Sequence, residues 1–125
     1  MNYYYNGHMT GGKIPHKRTR RDGEEFDSKA EARRYEELKL MQTAGEIRGL
    51  KCHPSWTIIP AQRDAAGKCI FKAAKYTADF SYLTKSGELV VEDVKSEYTR
   101  REKDYILRRK LMYARYGIYV REIVK

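Results

Sequence analysis

The sequence predicts an α/β protein in which a mixed β-sheet is flanked by helices. Three observations favour this class: a capped helix early in the chain, a β-hairpin in its middle, and a second helix followed by a terminal strand. With 125 residues, the chain has the size of one ordinary domain. Its hydrophobic fraction of 41% is enough for a small core. We therefore expect a single domain over residues 24–125 and a flexible basic arm over residues 1–23.

A first helix is predicted from residue 28 to about residue 44. Asp27 or Ser28 can cap its N-terminus, and Gly45 can end it. Glu31 shares a face with the apolar residues of this helix, so its carboxylate could point inward. The alternative is a capping box, in which Glu31 turns back to the amide of the cap residue. The sequence leaves both alternatives open.

The region after this helix is predicted to be extended. Short apolar runs bounded by prolines and turn-forming residues indicate strands at residues 56–59 and 70–74. Two further apolar segments, residues 76–83 and 88–95, flank a three-residue loop that ends in glycine. This pattern predicts a β-hairpin.

The hairpin loop determines which residues face each other. If the strands pair around residues 85–87, Asp79 lies directly across from Asp93. Because strand residues alternate between faces, Lys95 lies on the same face as Asp93, whereas Glu92 points to the other face. Two carboxylates and one ammonium are therefore predicted to converge.

A second helix is predicted over residues 98–116 and a strand over residues 118–124. Tyrosines along the helix could stack on bases, although aromatic residues at helical spacing are more often half-buried core. These tyrosines are Tyr98, Tyr105, Tyr113 and Tyr116. Cations at its start could meet a phosphate near the hairpin, or could be an ordinary solvated helix start. These cations are Arg100, Arg101 and Lys103.

The charge of the chain indicates the kind of partner. Lys and Arg number 26 against 17 Asp and Glu, which gives a formal net charge of +9 and favours a polyanion such as nucleic acid. The predicted arm contributes Lys17, Arg18, Arg20 and Arg21. These could lie along phosphates, although basic clusters are also common on solvated surfaces.

Several classes of protein are disfavoured by the composition. No segment approaches the roughly eighteen consecutive apolar residues of a membrane span. The first residues lack the pattern of a secretory signal, so we expect a cytoplasmic protein without a membrane partner. Two cysteines are too few for a disulfide scaffold and are compatible with reduced thiols.

The predicted pair of facing aspartates has a chemical consequence. Two like charges across a ladder repel each other unless a cation lies between them. Carboxylate oxygens suit Mg²⁺, with Mn²⁺ as a second candidate, and such a site suits phosphodiester hydrolysis. The ammonium of Lys95 could stabilise developing charge or orient the attacking water.

Three segments of the chain are similar to motifs of the PD-(D/E)XK nuclease superfamily. They are residues 26–35 (FDSKAEARRY), 76–80 (YTADF) and 91–95 (VEDVK). The resemblance covers roughly residues 23–123. Within the superfamily, the chain is more specifically similar to small phage and prophage proteins related to Holliday-junction resolvases. Ala78 stands where the namesake proline of the motif would be.

The resemblance implies a restriction-endonuclease-like core of helix, three-stranded meander, helix and strand. It implies that Asp79 and Asp93 bind a divalent metal, with the carbonyl of Val94 completing the shell. It also implies that Lys95 assists the attacking water and that Glu31 is the helix-borne acid of this site. The activity implied is a Mg²⁺-dependent endonuclease acting on DNA, with branched DNA as one candidate substrate. A homodimer is expected by analogy with resolvases.

Three other functions are alternatives. The first is a non-catalytic nucleic-acid-binding module that retains the nuclease fold. The second is a zinc site, although its residue spacing is unlike that of common zinc motifs. Its ligands would be Cys52, His53 and Cys69, with His8 or His16 as the fourth. The third is a basic RNA-associated domain, which fits the charge but gives the facing aspartates no role.

Overall fold

The computed structural model of the protein describes residues 19–26 and 28–125. Within these ranges lie two α-helices and ten strands. The helices are α1 (Lys29–Thr43) and α2 (Lys103–Tyr116). The strands are β1 (Thr19–Arg21), β2 (Glu24–Phe26), β3 (Ile47–Cys52), β4 (Ser55–Ile59), β5 (Gln62–Arg63), β6 (Cys69–Phe71), β7 (Ala74–Thr77), β8 (Phe80–Thr84), β9 (Leu89–Lys95) and β10 (Arg121–Val124).

A four-stranded mixed sheet in the order β10-β9-β8-β3 is the centre of the fold. Strand β8 pairs antiparallel with β3 and β9, whereas β10 runs parallel to β9. A parallel pair needs a crossover connection, and α2 supplies it. The predicted α/β class, with a mixed sheet and two helices, is therefore confirmed.

Two hydrophobic cores lie on opposite faces of this sheet, and the alternation of β9 separates them. Val90 and Val94 pack with the cluster that contains Phe26, Leu38 and Phe80, on the side of α1. Val91 packs with the second cluster, on the side of α2, whose members include Ile58, Tyr76, Tyr105, Met112 and Val120. The side chains that follow the phase of Val91 therefore face α2.

The first helix agrees with its sequence pattern. Ser28 is the N-cap, and its Oγ accepts a hydrogen bond from the backbone N–H of Glu31 at 3.1 Å. The chain leaves the helix through Gly45, whose φ of +80° favours glycine. The predicted bounds of 28 and 44 are thus within one residue of α1.

The second helix begins later than predicted. Residues Thr99–Arg101 form a 3₁₀ turn, and α2 starts at Lys103. Ser96 and Thr99 cause this turn, because the backbone N–H of each donates to the side-chain oxygen of the other. Arg100 and Arg101 therefore lie in the turn that precedes α2, and the predicted strand at 118–124 is reduced to Arg121–Val124.

The predicted hairpin has the correct register, but its first strand, predicted as one segment over residues 76–83, is divided into two. Phe80 pairs with Glu92 and Leu83 pairs with Leu89, as the loop at residues 85–87 requires. However, residues 76–83 are not one strand, because β7 pairs with β4 in a separate two-stranded ribbon. The chain changes sheets at residues 78 and 79.

Other extended segments depart from their predicted bounds. The strand expected at 56–59 is β4, while the one expected at 70–74 is divided between β6 and the start of β7. Strand β3 was not predicted. Its residues include the exposed Arg48, Gly49 and Lys51 at a sheet edge, so it lacks a strong apolar alternation.

The boundary expected at residue 23 falls inside a small hairpin. Strands β1 and β2 pair antiparallel around Asp22 and Gly23, which both have positive φ. The carboxylate of Asp22 accepts hydrogen bonds from Tyr35 and Lys39 of α1. Residues 19–23, predicted as the end of a flexible arm, are therefore strand and turn; residues 1–18 lie outside the described residues.

Neither described helix has the length and apolar composition that crossing a bilayer requires.

A buried ion pair links α1 to the sheet. Glu92 is fully buried on the α1 side of β9, as strand alternation predicted. Its carboxylate accepts hydrogen bonds from Arg34 at Nε (2.9 Å) and Nη2 (2.6 Å), and from the hydroxyl of Tyr82. A buried charge is tolerated when it is paired and hydrogen-bonded in this way.

We expect Arg34→Met to lower the free energy of unfolding by about 3–5 kcal/mol, because it leaves the Glu92 carboxylate buried without its cation. Arg33→Met is the matched control, since Arg33 is exposed on the same helix, and should change stability by less than about 0.5 kcal/mol. Urea denaturation measures both values. Equal, small losses in the two variants would show that the pair does not stabilise the fold.

Candidate metal centre

Asp79 lies where the chain crosses from the β4–β7 ribbon to the main sheet. Its backbone N–H donates to the carbonyl of Glu92 (3.1 Å) and to Oδ1 of Asp93 (2.9 Å). Its own Oδ2 accepts a hydrogen bond from the backbone N–H of Val94 at 2.7 Å. Each aspartate carboxylate is thus held by a backbone amide of the opposite segment, and the structure brings the two predicted residues together.

Asp93 is buried, with 4% of its surface exposed. Besides the amide of Asp79, its carboxylate accepts a hydrogen bond from the hydroxyl of Tyr76 through Oδ2. Burial, followed by the negative charge of Asp93, raises the pKa of Tyr76, so this hydroxyl remains a donor. Each carboxylate oxygen keeps a further lone pair for another ligand.

Glu31 reaches the same region from the first turn of α1. Its side chain is buried, and Oε2 lies 2.9 Å from Nε2 of His53. The backbone amide of Glu31 is capped by Ser28, while its carboxylate extends inward. Of the two alternatives that the sequence left open, the structure contains the inward-pointing carboxylate.

His53 is the residue of this centre that the sequence did not place there. It lies between β3 and β4 with a φ of +55°, and its backbone N–H donates to the carbonyl of Asp79 at 2.9 Å. Within residues 19–26 and 28–125, ligand atoms of Glu31, His53 and Asp79 all lie within 4.8 Å of one another. These three side chains could hold a divalent metal.

Lys95 lies in a cavity of about 240 Å³ that Asp79 and Asp93 also line. Its Nζ is 4.4 Å from the centroid of the Tyr105 ring, a cation–π contact that fixes the ammonium against α2. The phase of β9 places Lys95 on the same face as Asp93, as predicted. The far wall is α2, which contributes Tyr105 and Arg108.

Burial and nearby negative charge raise the pKa values of both aspartates. Burial, followed by the Glu31 carboxylate, raises the pKa of Asp79 to about 6, although the Val94 amide and Lys95 oppose the shift. Burial, and after it the charge of Asp79, raises the pKa of Asp93 to about 6 against the Tyr76 hydrogen bond. The donors present compensate these charges only in part, which fits a centre that accepts a cation.

The predicted nucleic-acid-binding cations are distributed differently. Arg100 pairs with Glu122 at 3.0 Å and with Glu97 at 3.5 Å, and the exposed Arg101 pairs with Glu97 at 3.5 Å. Lys103 is exposed at the start of α2.

Of the four cations predicted near the N-terminus, two belong to the described residues. Arg20 and Arg21 lie in β1, and Lys17 and Arg18 lie outside the described residues. The sequence missed Arg108, which lines the cavity of the candidate centre.

The zinc alternative is not assembled among the described residues. Cys52 ends β3 of the main sheet, whereas the exposed Cys69 begins β6 in a separate two-stranded sheet. Burial raises the pKa of the Cys52 thiol to about 11, which disfavours the thiolate that zinc requires. His8 and His16 lie outside the described residues.

The fold and this centre define an α/β protein in which a cluster of Glu31, His53 and Asp79 adjoins a cavity between sheet and helix, with Asp79 common to both. The chain belongs to the family described as protein of unknown function (DUF1064), whose profile matches residues 12–124. A search of curated proteins and a search of solved structures each found no match.

We expect Asp79→Asn to stabilise the metal-free protein at pH 7.5 by roughly 3 kcal/mol, since the pKa of the Asp79 carboxyl is raised from 3.8 to about 6 and one pKa unit corresponds to about 1.4 kcal/mol. A carboxyl whose pKa is raised in the folded state favours folding at low pH, and this contribution is lost as the pH rises through about 6. The advantage of the variant should therefore shrink at pH 5. Thermal unfolding in chelator at both pH values measures it. A variant less stable than the wild type at both pH values would contradict the electrostatic account.

Proposed function

We propose that this protein is a divalent-cation-dependent endonuclease that hydrolyses phosphodiester bonds in DNA. The observation that carries the proposal is the convergence of Asp79, Asp93 and Lys95 at one cavity of a strongly basic chain, with the carboxylate of Glu31 within 4.8 Å of that of Asp79. The order α1, β3, β8, β9, α2, β10 supports it, because it corresponds to the helix, three-stranded meander, helix and strand that the resemblance implies.

The ligand chemistry supports Mg²⁺ or Mn²⁺ as the cofactor. Asp79 and Glu31 would hold the cation with hard carboxylate oxygens, and Asp93 with the Val94 carbonyl would complete the shell. His53 adds an imidazole nitrogen that contacts Glu31, and a nitrogen ligand suits Mn²⁺ better than Mg²⁺, which prefers oxygen. A bound divalent cation polarises a phosphoryl oxygen and lowers the pKa of a bound water.

The residues around this centre have separate tasks. The Val94 amide and the Tyr76 hydroxyl orient Asp79 and Asp93, so both carboxylates are preorganised. Lys95, fixed against Tyr105, offers ammonium protons to a water or to the charge that develops on the phosphate.

Arg108 has its own place on the helix wall. Its guanidinium lines the cavity and donates to the carbonyl of Lys75. This hydrogen bond would keep the positive charge of Arg108 beside the DNA backbone.

A non-catalytic nucleic-acid-binding module is the second candidate, and one observation favours it. The carboxylates already have internal partners: Asp93 accepts from Tyr76 and Asp79, and Glu31 contacts His53. Such a protein would bind DNA in a salt-dependent way without forming a metal-dependent product. A homodimer stays a prediction by analogy under either candidate.

We expect purified protein to cleave DNA with Mg²⁺ or Mn²⁺ and to stop in chelator. Linear duplex, nicked, flap and four-way-junction DNA are the substrates to compare on gels. Asp79→Asn and Asp93→Asn should each reduce cleavage by roughly 100-fold or more, because the cation loses a ligand. Lys95→Ala should reduce cleavage while leaving DNA affinity nearly unchanged.

Glu36→Gln is the matched control for this experiment, since Glu36 is an exposed carboxylate on α1, and it should cleave like the wild type. Cleavage that survives all three site substitutions would refute the assignment. Salt-dependent binding with no product on any substrate would favour the non-catalytic module.

We expect His53→Ala to weaken Mn²⁺ binding by roughly 10-fold, because the variant removes both an imidazole donor and the group that holds Glu31. Isothermal titration calorimetry on the full chain measures this affinity. Mg²⁺ affinity should fall less, since Mg²⁺ prefers oxygen ligands. Unchanged affinity for both ions would exclude His53 from the centre.

A further inference from the structure

A larger cavity, of about 820 Å³, lies along a neighbouring face of α2. We call it the α2–β10 groove. Its walls come from α2 and from the segment that enters β10, and they include Ile106, Arg109, Lys110, Tyr113, Tyr119 and Val120. On the same helix, Tyr105 and Arg108 line the candidate metal centre. Helix α2 therefore forms a wall of both cavities.

The exposed tyrosines among the described residues all lie between residues 98 and 119, the same part of the sequence that lines this groove. Tyr35, Tyr76, Tyr82 and Tyr105 are buried. Tyr98, Tyr113, Tyr116 and Tyr119 are exposed. Tyr113 and Tyr119, which line the groove, are 60% and 73% exposed, and their rings meet edge to face at 6.4 Å. Core packing explains why the four buried tyrosines are present, but it does not explain two large solvent-exposed rings in contact with each other.

The charge around the groove complements a polyanion. The charged residues that line the groove are Arg100, Arg109, Lys110 and Glu122, which gives a surplus of two positive charges. The guanidinium of Arg109 lies 4.6 Å from the centroid of the Tyr119 ring and donates to the carbonyl of Val120, which fixes both side chains. Lys110 is exposed beside them. Among the described residues that line the groove, the one carboxylate is Glu122, which pairs with Arg100 at 3.0 Å and with Nη1 of Arg109 at 3.8 Å, so Lys110 is the cation of the groove that Glu122 leaves unpaired.

We propose that the α2–β10 groove binds single-stranded DNA, with unpaired bases stacked on Tyr113 and Tyr119 and phosphates near Arg109 and Lys110. Bases inside a duplex are already stacked and offer no free face, whereas unpaired bases can stack on exposed aromatic rings. A second copy of this chain fits less well, because it would bring a like-charged surface against these cations. The inference deepens the proposed function and rests on it for the choice of DNA.

The test measures fluorescence anisotropy of a labelled short oligothymidylate in chelator, so that no cleavage occurs. Tyr113→Ala and Tyr119→Ala should each weaken binding by roughly 10-fold, while Tyr113→Phe and Tyr119→Phe should retain it, because stacking needs the ring. Phe71→Ala is the matched control, since Phe71 is 62% exposed on β6, and it should bind like the wild type. Duplex DNA affinity should change little in every variant.

Four results would overturn this inference. In the first, the tyrosine-to-alanine variants bind oligothymidylate as tightly as the wild type; in the second, they lose affinity for single-stranded and duplex DNA equally. In the third, the wild type binds oligouridylate more tightly than oligothymidylate. In the fourth, sedimentation shows that the wild type is a dimer and that these variants are monomers. Failure of the proposed nuclease is distinguishable from all of them. In that case no substrate would be cut in Mg²⁺ or Mn²⁺, yet the tyrosine variants would still lose oligothymidylate binding.

Discussion

The hydrogen bonds that join Asp93, which is buried, to Asp79, which is partly buried, are the constraint on which the candidate centre depends. Asp79 and Asp93 lie side by side because the β8–β9 register is extended by one residue, where the Asp79 amide donates to the carbonyl of Glu92 and to Oδ1 of Asp93. Removing two carboxylates from water costs free energy that hydrogen bonds must offset. The chain supplies these bonds from the amides of Asp79 and Val94 and from the hydroxyl of Tyr76.

The neighbouring Glu92 shows a different solution to the same problem. One position away on β9, this acid faces α1 and is neutralised by Arg34 in a two-point contact. On the opposite face, burial and like charge raise the pKa of Asp79 and of Asp93 to about 6, and Lys95 compensates them only in part. One face of the strand thus has a permanent internal cation, whereas the other fits an external one. Helix α2 closes this second face and also borders the tyrosine-lined groove, so the two proposed DNA contacts would share one helix.

The sequence predicted those parts of the site that depend on local pattern. Loop length gave the register that brings Asp79 to Asp93, and strand alternation separated Glu92 from both. His53 could not be placed, since its position depends on β3, an edge strand with polar exposed residues and little apolar alternation. The sheet change at residues 78 and 79 was also hidden, because β7 is held by pairing with the distant β4. Long-range pairing of this kind leaves no signal in a short window of sequence.

The most direct way to test whether Asp79 and its neighbours bind a divalent cation is an anomalous difference map from a crystal of the full chain grown with Mn²⁺. We expect one peak at metal-ligand distance from the carboxylate oxygens of Asp79, with Glu31 or Asp93 as a second ligand. A fully occupied peak elsewhere, or Asp79 and Asp93 hydrogen-bonded only to protein at saturating Mn²⁺, would contradict it.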